Sequence, residues 1–416
     1  IKGILQTQGY EPASKEEDAD LVILNTCTIR EKPDQKVWSH LGEIKKLKTK
    51  NPNVKIGVCG CMAQRTGYEI ASKMPFVDMV FGTKNIHRIP SFLKELSMGN
   101  RAVEILEEED PSEDILDQYP TIRDNSYCAY VTIIRGCDKH CTYCVVPSTR
   151  GKERSRDPKN ILDEIRYLVD NGVMEIHLIG QNVTAYGKDI DYPFYRLLEK
   201  IANINGVKRI RFTTGHPVDL TDDIIDTMAD IPIMANHIHL PFQSGSDRIL
   251  DLMQRNYTKA YYLNRIEKLK SKIKDMSFSA DVIVGFPTET DEDFEHTMDV
   301  VKTVEFEQLF SFKYSKRPNT PAHSMDDTLS DEIKTSRMKR LLEVQKSIAS
   351  KLMERYKDTI QKVLIEDKKD DTYLGRTTTN VWCSVYSEKD LVGREIEVFI
   401  TKTGFQNLEG ELKDIF

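Results

Sequence analysis

Cys137, Cys141 and Cys144 stand within eight residues, in the run RGCDKHCTYC. Three thiolates on so short a loop can each take one iron of a 4Fe-4S cube. The fourth iron is then left without a protein ligand and can chelate an amino and a carboxylate group of a small molecule. A zinc site would ask for a fourth Cys or His, and His140 is the nearby candidate. Cys27 in LNTCTIR and Cys61 in GVCGCMAQ lie 34 residues apart, a spacing that buried free thiols also satisfy. Arg150, Lys152, Arg154 and Arg156 follow the cysteine loop at alternating positions, where an extended segment would line them toward a phosphate backbone. Residues 135–159 carry seven Lys/Arg against three Asp/Glu. A solvated basic loop has the same composition.

Elements must position these groups. LVILNTC (21–27) and VKIGVCGC (54–61) have the pattern of buried strands, each ending in a cysteine-bearing loop, with MPFVDMVFG (74–82) as another. Between the first two, PDQKVWSHLGEIKKLK (33–48) repeats apolar residues at helical spacing. Strand–helix–strand order implies a parallel sheet, and both cysteine loops then open on one face of it. EILEEEDPSED (104–114) packs seven carboxylates into eleven residues, the mark of a solvated linker and a domain boundary. Strands follow at 130–136, 174–180, 208–213, 236–240, 278–285 and 307–315, with helical patterns between, such as 158–172 with Pro near its start and Gly just past its end. About six βα units make an incomplete barrel rather than a closed eight-fold one. The polar and glycine-bearing segments fall at the strands' C-terminal ends, the ligand face of parallel α/β sheets. A long helical pattern at 330–359 precedes a segment alternating with period two, a small antiparallel β-barrel or sandwich. The division is therefore 1–115, 120–355 and 356–416.

Composition excludes other classes. The 416 residues are 39% apolar and 30% charged, which sets aside disorder, collagen and coiled coil. No apolar run approaches the ~18 residues of a membrane helix. With 59 basic and 66 acidic side chains the net charge is −7, so a nucleic acid must be gripped by a local basic patch. Residues 361–416 hold eight basic against eleven acidic side chains, so RNA contact there must rest on one face or on shape. Eight cysteines in a chain of this length fit a reducing compartment, and the cytoplasm is expected. The chain opens on Ile1, and IKGILQTQGY has the pattern of a helix already under way, so upstream residues are expected to be missing.

The tyrosine within CTYC makes the triplet resemble the signature of radical S-adenosylmethionine (SAM) enzymes, whose partial (βα)6, TIM-like barrel matches the strand count. Carried onto this sequence, the resemblance implies SAM contacts from Tyr143; from Gly180 and Gln181 in a GQN that stands where many members have Gly-Gly-Glu; from Thr213, Gln243 and Ser244; and from Gly285 and Pro287 in VIVGFPTE. NTCTIR and GCMAQ resemble the N-terminal domain of the methylthiotransferases, a radical SAM subfamily in which three cysteines hold a second 4Fe-4S cluster. Cys27 and Cys61 are two of those ligands by this likeness; the third lies in an upstream motif that this chain does not contain. Cys59 rivals Cys61 within CGC, and the GC-x-AQ motif favours Cys61. Cys128 and Cys383 match no motif and are expected to be inert core thiols.

The resemblance spans nearly the whole chain and ends in a β domain similar to an RNA-binding TRAM module. It implies a tRNA methylthiotransferase with two 4Fe-4S clusters: SAM is cleaved to methionine and a 5′-deoxyadenosyl radical, and a sulfur from the second cluster is methylated and joined to carbon 2 of an adenine. CTYCVVPSTRGKERSR and HLPFQSGSDRILDLMQR are most like the branch acting on isopentenyl-adenosine beside the tRNA anticodon. Arg150, Arg154 and Arg156 are then the candidate RNA contacts, and Arg317 a candidate for substrate or SAM. The implied partners are the tRNA anticodon arm and a low-potential donor such as flavodoxin or ferredoxin, with no membrane and a monomeric state. Alternatives are the threonylcarbamoyl-adenosine branch, the ribosomal-protein branch, and a non-catalytic metal-bearing RNA-binding protein.

Overall fold

In the structure, a computed structural model, residues 1–27, 31–108, 119, 121–122 and 127–415 are described. Residues 109–114 of the acidic run and residues 28–30 of NTCTIR lie outside them.

The N-terminal part is a parallel sheet in the order β1 (Leu21–Thr26), β2 (Lys55–Gly60), β3 (Met79–Phe81) and β4 (Ala102–Glu104). Strand alternation separates its two faces. Ile56 and Val58 enter one core with Val22, Leu41, Ile44 and Ile70, whereas Cys59 enters the other with Ile4, Phe81 and Phe92. One expectation is corrected here. β2 ends not in a loop but directly in a helix, Cys61–Lys73, whose first residue is the cysteine. Gly60 makes this possible: its φ is +94°, and a Cβ there would stand 2.3 Å from the Thr26 carbonyl oxygen.

The central part has six parallel strands in two triples. β5 (Cys128–Thr132), β8 (Glu175–Ile179) and β9 (Arg209–Phe212) form one; β10 (His237–His239), β11 (Ser277–Val284) and β12 (Gln308–Lys313) form the other. A bridge between Ile210 and Met234 joins them. Outward positions such as Ile176, Leu178, Ile210, Phe212 and Val282 pack beneath the helices in one continuous core. The alternate positions, Glu175, His177, Arg209, Arg211, His237, His239, Ser277 and Ser279, turn to the inner face, which is polar. A short antiparallel hairpin, β6 (Ile134–Arg135) with β7 (Arg154–Ser155), closes the neck of the cysteine loop.

Helix Asp331–Glu354 packs on β12 and leads to a closed five-stranded barrel in the order β13 (Ile360–Lys369), β14 (Thr372–Thr377), β15 (Trp382–Tyr386), β17 (Asn407–Ile415) and β16 (Glu395–Thr403). It is not wholly antiparallel, because β15 and β17 run parallel. An odd number of strands cannot alternate direction all the way round a closed ring, so one like-directed pair is obligatory. This barrel seats on the N-terminal ends of the central strands. Arg209 reaches the Arg376 carbonyl at 2.9 Å and the Glu395 carboxylate at 2.8 Å, and Arg211 reaches the carbonyls of Thr377 and Thr378 at 2.5 and 3.2 Å. Both arginines also bond Glu175, at 3.3 and 3.0 Å. Among the described residues no helix is long and apolar enough to cross a membrane.

Candidate active site at the barrel rim

The cysteine loop is fastened at several points. The Cys137 amide bonds the Gly151 carbonyl at 3.1 Å, across the neck the hairpin closes. Thr142 donates through its amide to Met253 O at 3.1 Å and through its hydroxyl to Leu252 O at 2.9 Å, and its own carbonyl accepts from Ala322 at 2.9 Å. Lys139 meets Asp219 at 2.9 Å; Asp219 also binds Lys188 at 2.5 Å and the Asn182 amide at 2.7 Å, so the loops after three strands share one carboxylate.

Donors point at the thiols themselves. Arg255 Nη1 lies 3.3 Å from Cys141 Sγ, and the Val146 amide lies 3.4 Å from Cys144 Sγ. Burial pushes the Cys137 thiol up to about 12 and the Cys144 thiol up to about 11, so charged neighbours or a metal must stabilise the thiolates. A single ion gathers its donors around one point, and among the described residues no three His, Cys, Asp or Glu side chains do so. A 4Fe-4S cube instead gives each thiolate its own iron corner, and the three thiols on this loop suit that group.

The other predicted residues lie on the same rim, with partners that spacing does not reveal. Tyr143 packs under the loop against Ile249, Met253, Phe286, Tyr314 and Ala322. Gly180 follows β8, and the Gln181 side-chain oxygen accepts from the Gly136 amide at 2.7 Å, which ties the GQN turn to the cysteine loop. The Thr213 hydroxyl is 3.3 Å from His177 Nε2. Gln243, at φ 64°, is bonded through its backbone to Asp281 and Ile283. Ser244 Oγ lies 3.5 Å from Thr297 Oγ1 and accepts from the Ser246 amide at 3.3 Å, so QSGS is bolted to helix Asp291–Val304. Gly285 has φ +74°, and its amide is held by both oxygens of Glu289 at 3.1 Å; Pro287 beside it is buried. Arg337 in turn holds Glu289 at 2.6 Å. Arg317 is buried, its carbonyl accepting from the Thr320 hydroxyl at 2.8 Å. Arg255, Asp219 and Arg337 were not singled out from the sequence, because each acts through a partner far away in the chain.

The basic residues do not line up as an extended segment would have them. Arg150 ends a short helix, Val146–Arg150, and its Nε donates to Cys61 Sγ at 3.2 Å. Arg154 lies in β7. Arg156 turns inward, with Nη1 on the Thr132 carbonyl at 2.6 Å and on Glu164 at 2.9 Å, because the strand it follows folds back on β6.

In the N-terminal sheet, Thr26 pairs in register with Gly60, so Cys27 and Cys61 are the next residues along two adjacent strand ends. The Thr26 hydroxyl donates to the Cys59 carbonyl at 2.5 Å and accepts from the Ala63 amide at 3.4 Å, fixing that junction. Cys27 is exposed. Cys59 is buried on the other face, its thiol pushed up to about 12 by burial. Cys383 is a core thiol of the C-terminal barrel, whereas Cys128 lies 3.7 Å from Glu175 in the buried charge cluster.

Residues 131–301 match the model of the radical SAM superfamily, and residues 1–82 that of the uncharacterized protein family UPF0004. Among solved structures, the radical S-adenosylmethionine methyltransferase TsrM from Kitasatospora setae superposes with a TM-score of 0.57 at 15% identity, over 73% of this chain and 64% of that one. Fold and rim together define a radical SAM enzyme. The chain is 78% identical over 415 residues to the tRNA-2-methylthio-N(6)-dimethylallyladenosine synthase of Hydrogenobaculum sp. (strain Y04AAS1), covering 100% of this chain and 95% of that relative. It is 58% identical over 417 residues to the synthase of the same name from Aquifex aeolicus (strain VF5), with the same coverage of each. It belongs to this family of radical SAM methylthiotransferases.

Proposed function

We propose that the protein adds a methylthio group to carbon 2 of N6-isopentenylated adenosine in the anticodon arm of tRNA. The observation that carries this reading is the meeting of two cysteine groups at one junction: the helix that follows Cys144 ends with its last residue on Cys61. When bound, the cluster at Cys137, Cys141 and Cys144 supplies the electron that opens SAM to radical chemistry, and the cluster at Cys27 and Cys61 supplies the sulfur. The protein positions and excludes water. Tyr143, Gly180, Gln181, Thr213, Gln243, Ser244, Gly285 and Pro287 ring the place for SAM.

The inner face offers a dock for an extruded base. Tyr130 is 52% exposed and stacks on His177 at 4.9 Å, and Phe310, 38% exposed, meets His239 edge-on at 5.9 Å. Burial holds His177 down at about 4, so the ring stacked on Tyr130 is uncharged at pH 7. On the C-terminal barrel Trp382, Tyr386 and Phe405 are exposed and can stack unpaired bases despite its acidic balance. Divisions near 115 and 355, phosphate contact by Arg154, a flavodoxin or ferredoxin donor, a monomeric state and a cytoplasmic location complete the proposal.

The test is the triple change Cys137→Ala, Cys141→Ala, Cys144→Ala in reconstituted protein carrying its native N-terminus. Iron should fall by half from about eight per chain, and 5′-deoxyadenosine formation should stop. Retained SAM cleavage would sink the radical assignment.

A further inference from the structure

Resting on the reading that Cys61 holds the second cluster, we propose that Arg150 is a charge-balancing and positioning residue for that cluster and not a phosphate contact. The helix Val146–Arg150 starts two residues after Cys144 and spans ~7.5 Å at 1.5 Å per residue. Its N-terminal end is tied to the first cysteine group, since the Val146 amide donates to Cys144 Sγ at 3.4 Å. Its C-terminal end is tied to the second, through Arg150 Nε and Cys61 Sγ at 3.2 Å. The Thr83 hydroxyl donates to the Thr149 carbonyl, so the N-terminal domain grips this helix at a second point. One short rigid element therefore sets the separation of the two cysteine groups.

A guanidinium keeps its charge at any working pH and cannot accept a proton from a ligand, so beside a thiolate it is a permanent donor and a permanent positive charge. Hydrogen bonds to cluster sulfurs and nearby charge are among the factors that set a cluster's reduction potential. Reduction adds negative charge, so a fixed cation at Cys61 favours the reduced state and raises the potential. Removing it must lower the potential.

The test uses the protein with its native N-terminus, reconstituted anaerobically in the Cys137→Ala, Cys141→Ala, Cys144→Ala background, where only the second cluster can assemble. Iron content and the midpoint of a dithionite titration followed by electron paramagnetic resonance are compared for Arg150, Arg150→Lys and Arg150→Gln. Arg150→Gln should keep its iron and shift the midpoint to more negative potential, with Arg150→Lys in between. In the cysteine-intact protein, Arg150→Gln should leave the salt dependence of tRNA binding unchanged. An unmoved midpoint with iron retained overturns the proposal, as does a salt slope reduced by about one. If the triple-alanine background binds no iron with Arg150 intact, it is the Cys61 reading itself that fails.

Discussion

Arg255 donates through Nη1 to the Sγ of Cys141 at 3.3 Å while its Nη2 holds the Pro241 carbonyl at 2.9 Å. One buried guanidinium thus fixes the cysteine loop to the loop after β10, which carries Gln243 and Ser244. Its plane also lies 5.3 Å from the ring of Tyr257, whose hydroxyl bonds the Phe242 carbonyl at 2.8 Å.

Arg255→Met fills much of the same volume but removes these bonds. We expect a loss of about 1.5–3 kcal/mol in stability, the scale of hydrogen bonds to a charged group. Iron held at Cys137, Cys141 and Cys144 should be released more readily to a chelator than from the parent. Chelation rates and thermal unfolding, measured side by side, check both.

The two members of CGC should separate cleanly. Cys61→Ala and Cys27→Ala should still cleave SAM yet form no methylthio product. Cys59→Ala, which alters only a packed thiol on the opposite face of the sheet, should stay active and lose about 1 kcal/mol. Product analysis decides; an inactive Cys59→Ala beside an active Cys61→Ala would reverse the assignment.

Glu175 anchors the seat of the C-terminal barrel. Burial alone would raise its pKa, but Arg211, Arg209 and Arg376 overcome that and hold it at about 2, against 4.5 as the ordinary value. A carboxylate depressed on folding contributes stability above its unfolded pKa and loses it as pH falls through the folded one. Its contribution should therefore be complete above pH ~5 and decay toward pH 2. Glu175→Ala leaves three guanidiniums without their shared partner and should cost about 3–5 kcal/mol at pH 7. Unfolding midpoints of the two proteins should converge as the pH is lowered from 5 toward 2.

What the chain reveals in advance follows from range. The cysteine triplet, the strand pattern and the helix at 158–170 are local. That helix announces itself by Asp157, whose side chain caps the amides of Lys159 and Asn160, and by Pro158 at its first position. β4 and the β6–β7 hairpin are too short for any period to register. The direction of a side chain is a tertiary fact. Nothing in STRGKERSR tells that Arg150 reaches the sheet junction and Arg156 the barrel wall, since their partners Cys61, at the start of a helix, and Thr132, in β5, belong to other elements. A like-directed pair follows from closing five strands, but that it falls between β15 and β17 is set by the order of strands round the barrel.

The central claim is methylthiolation of isopentenylated tRNA at the junction of two cysteine sites. Its most direct test is nucleoside mass spectrometry of tRNA after anaerobic turnover with reconstituted protein, SAM and a low-potential reductant. Isopentenylated, unprenylated and threonylcarbamoylated tRNA are given in parallel. The account predicts conversion of isopentenyl-adenosine to its 2-methylthio form, with the other two substrates left largely unmodified. Equal conversion of the threonylcarbamoyl substrate, or consumption of SAM with the isopentenylated tRNA recovered unchanged, would contradict it.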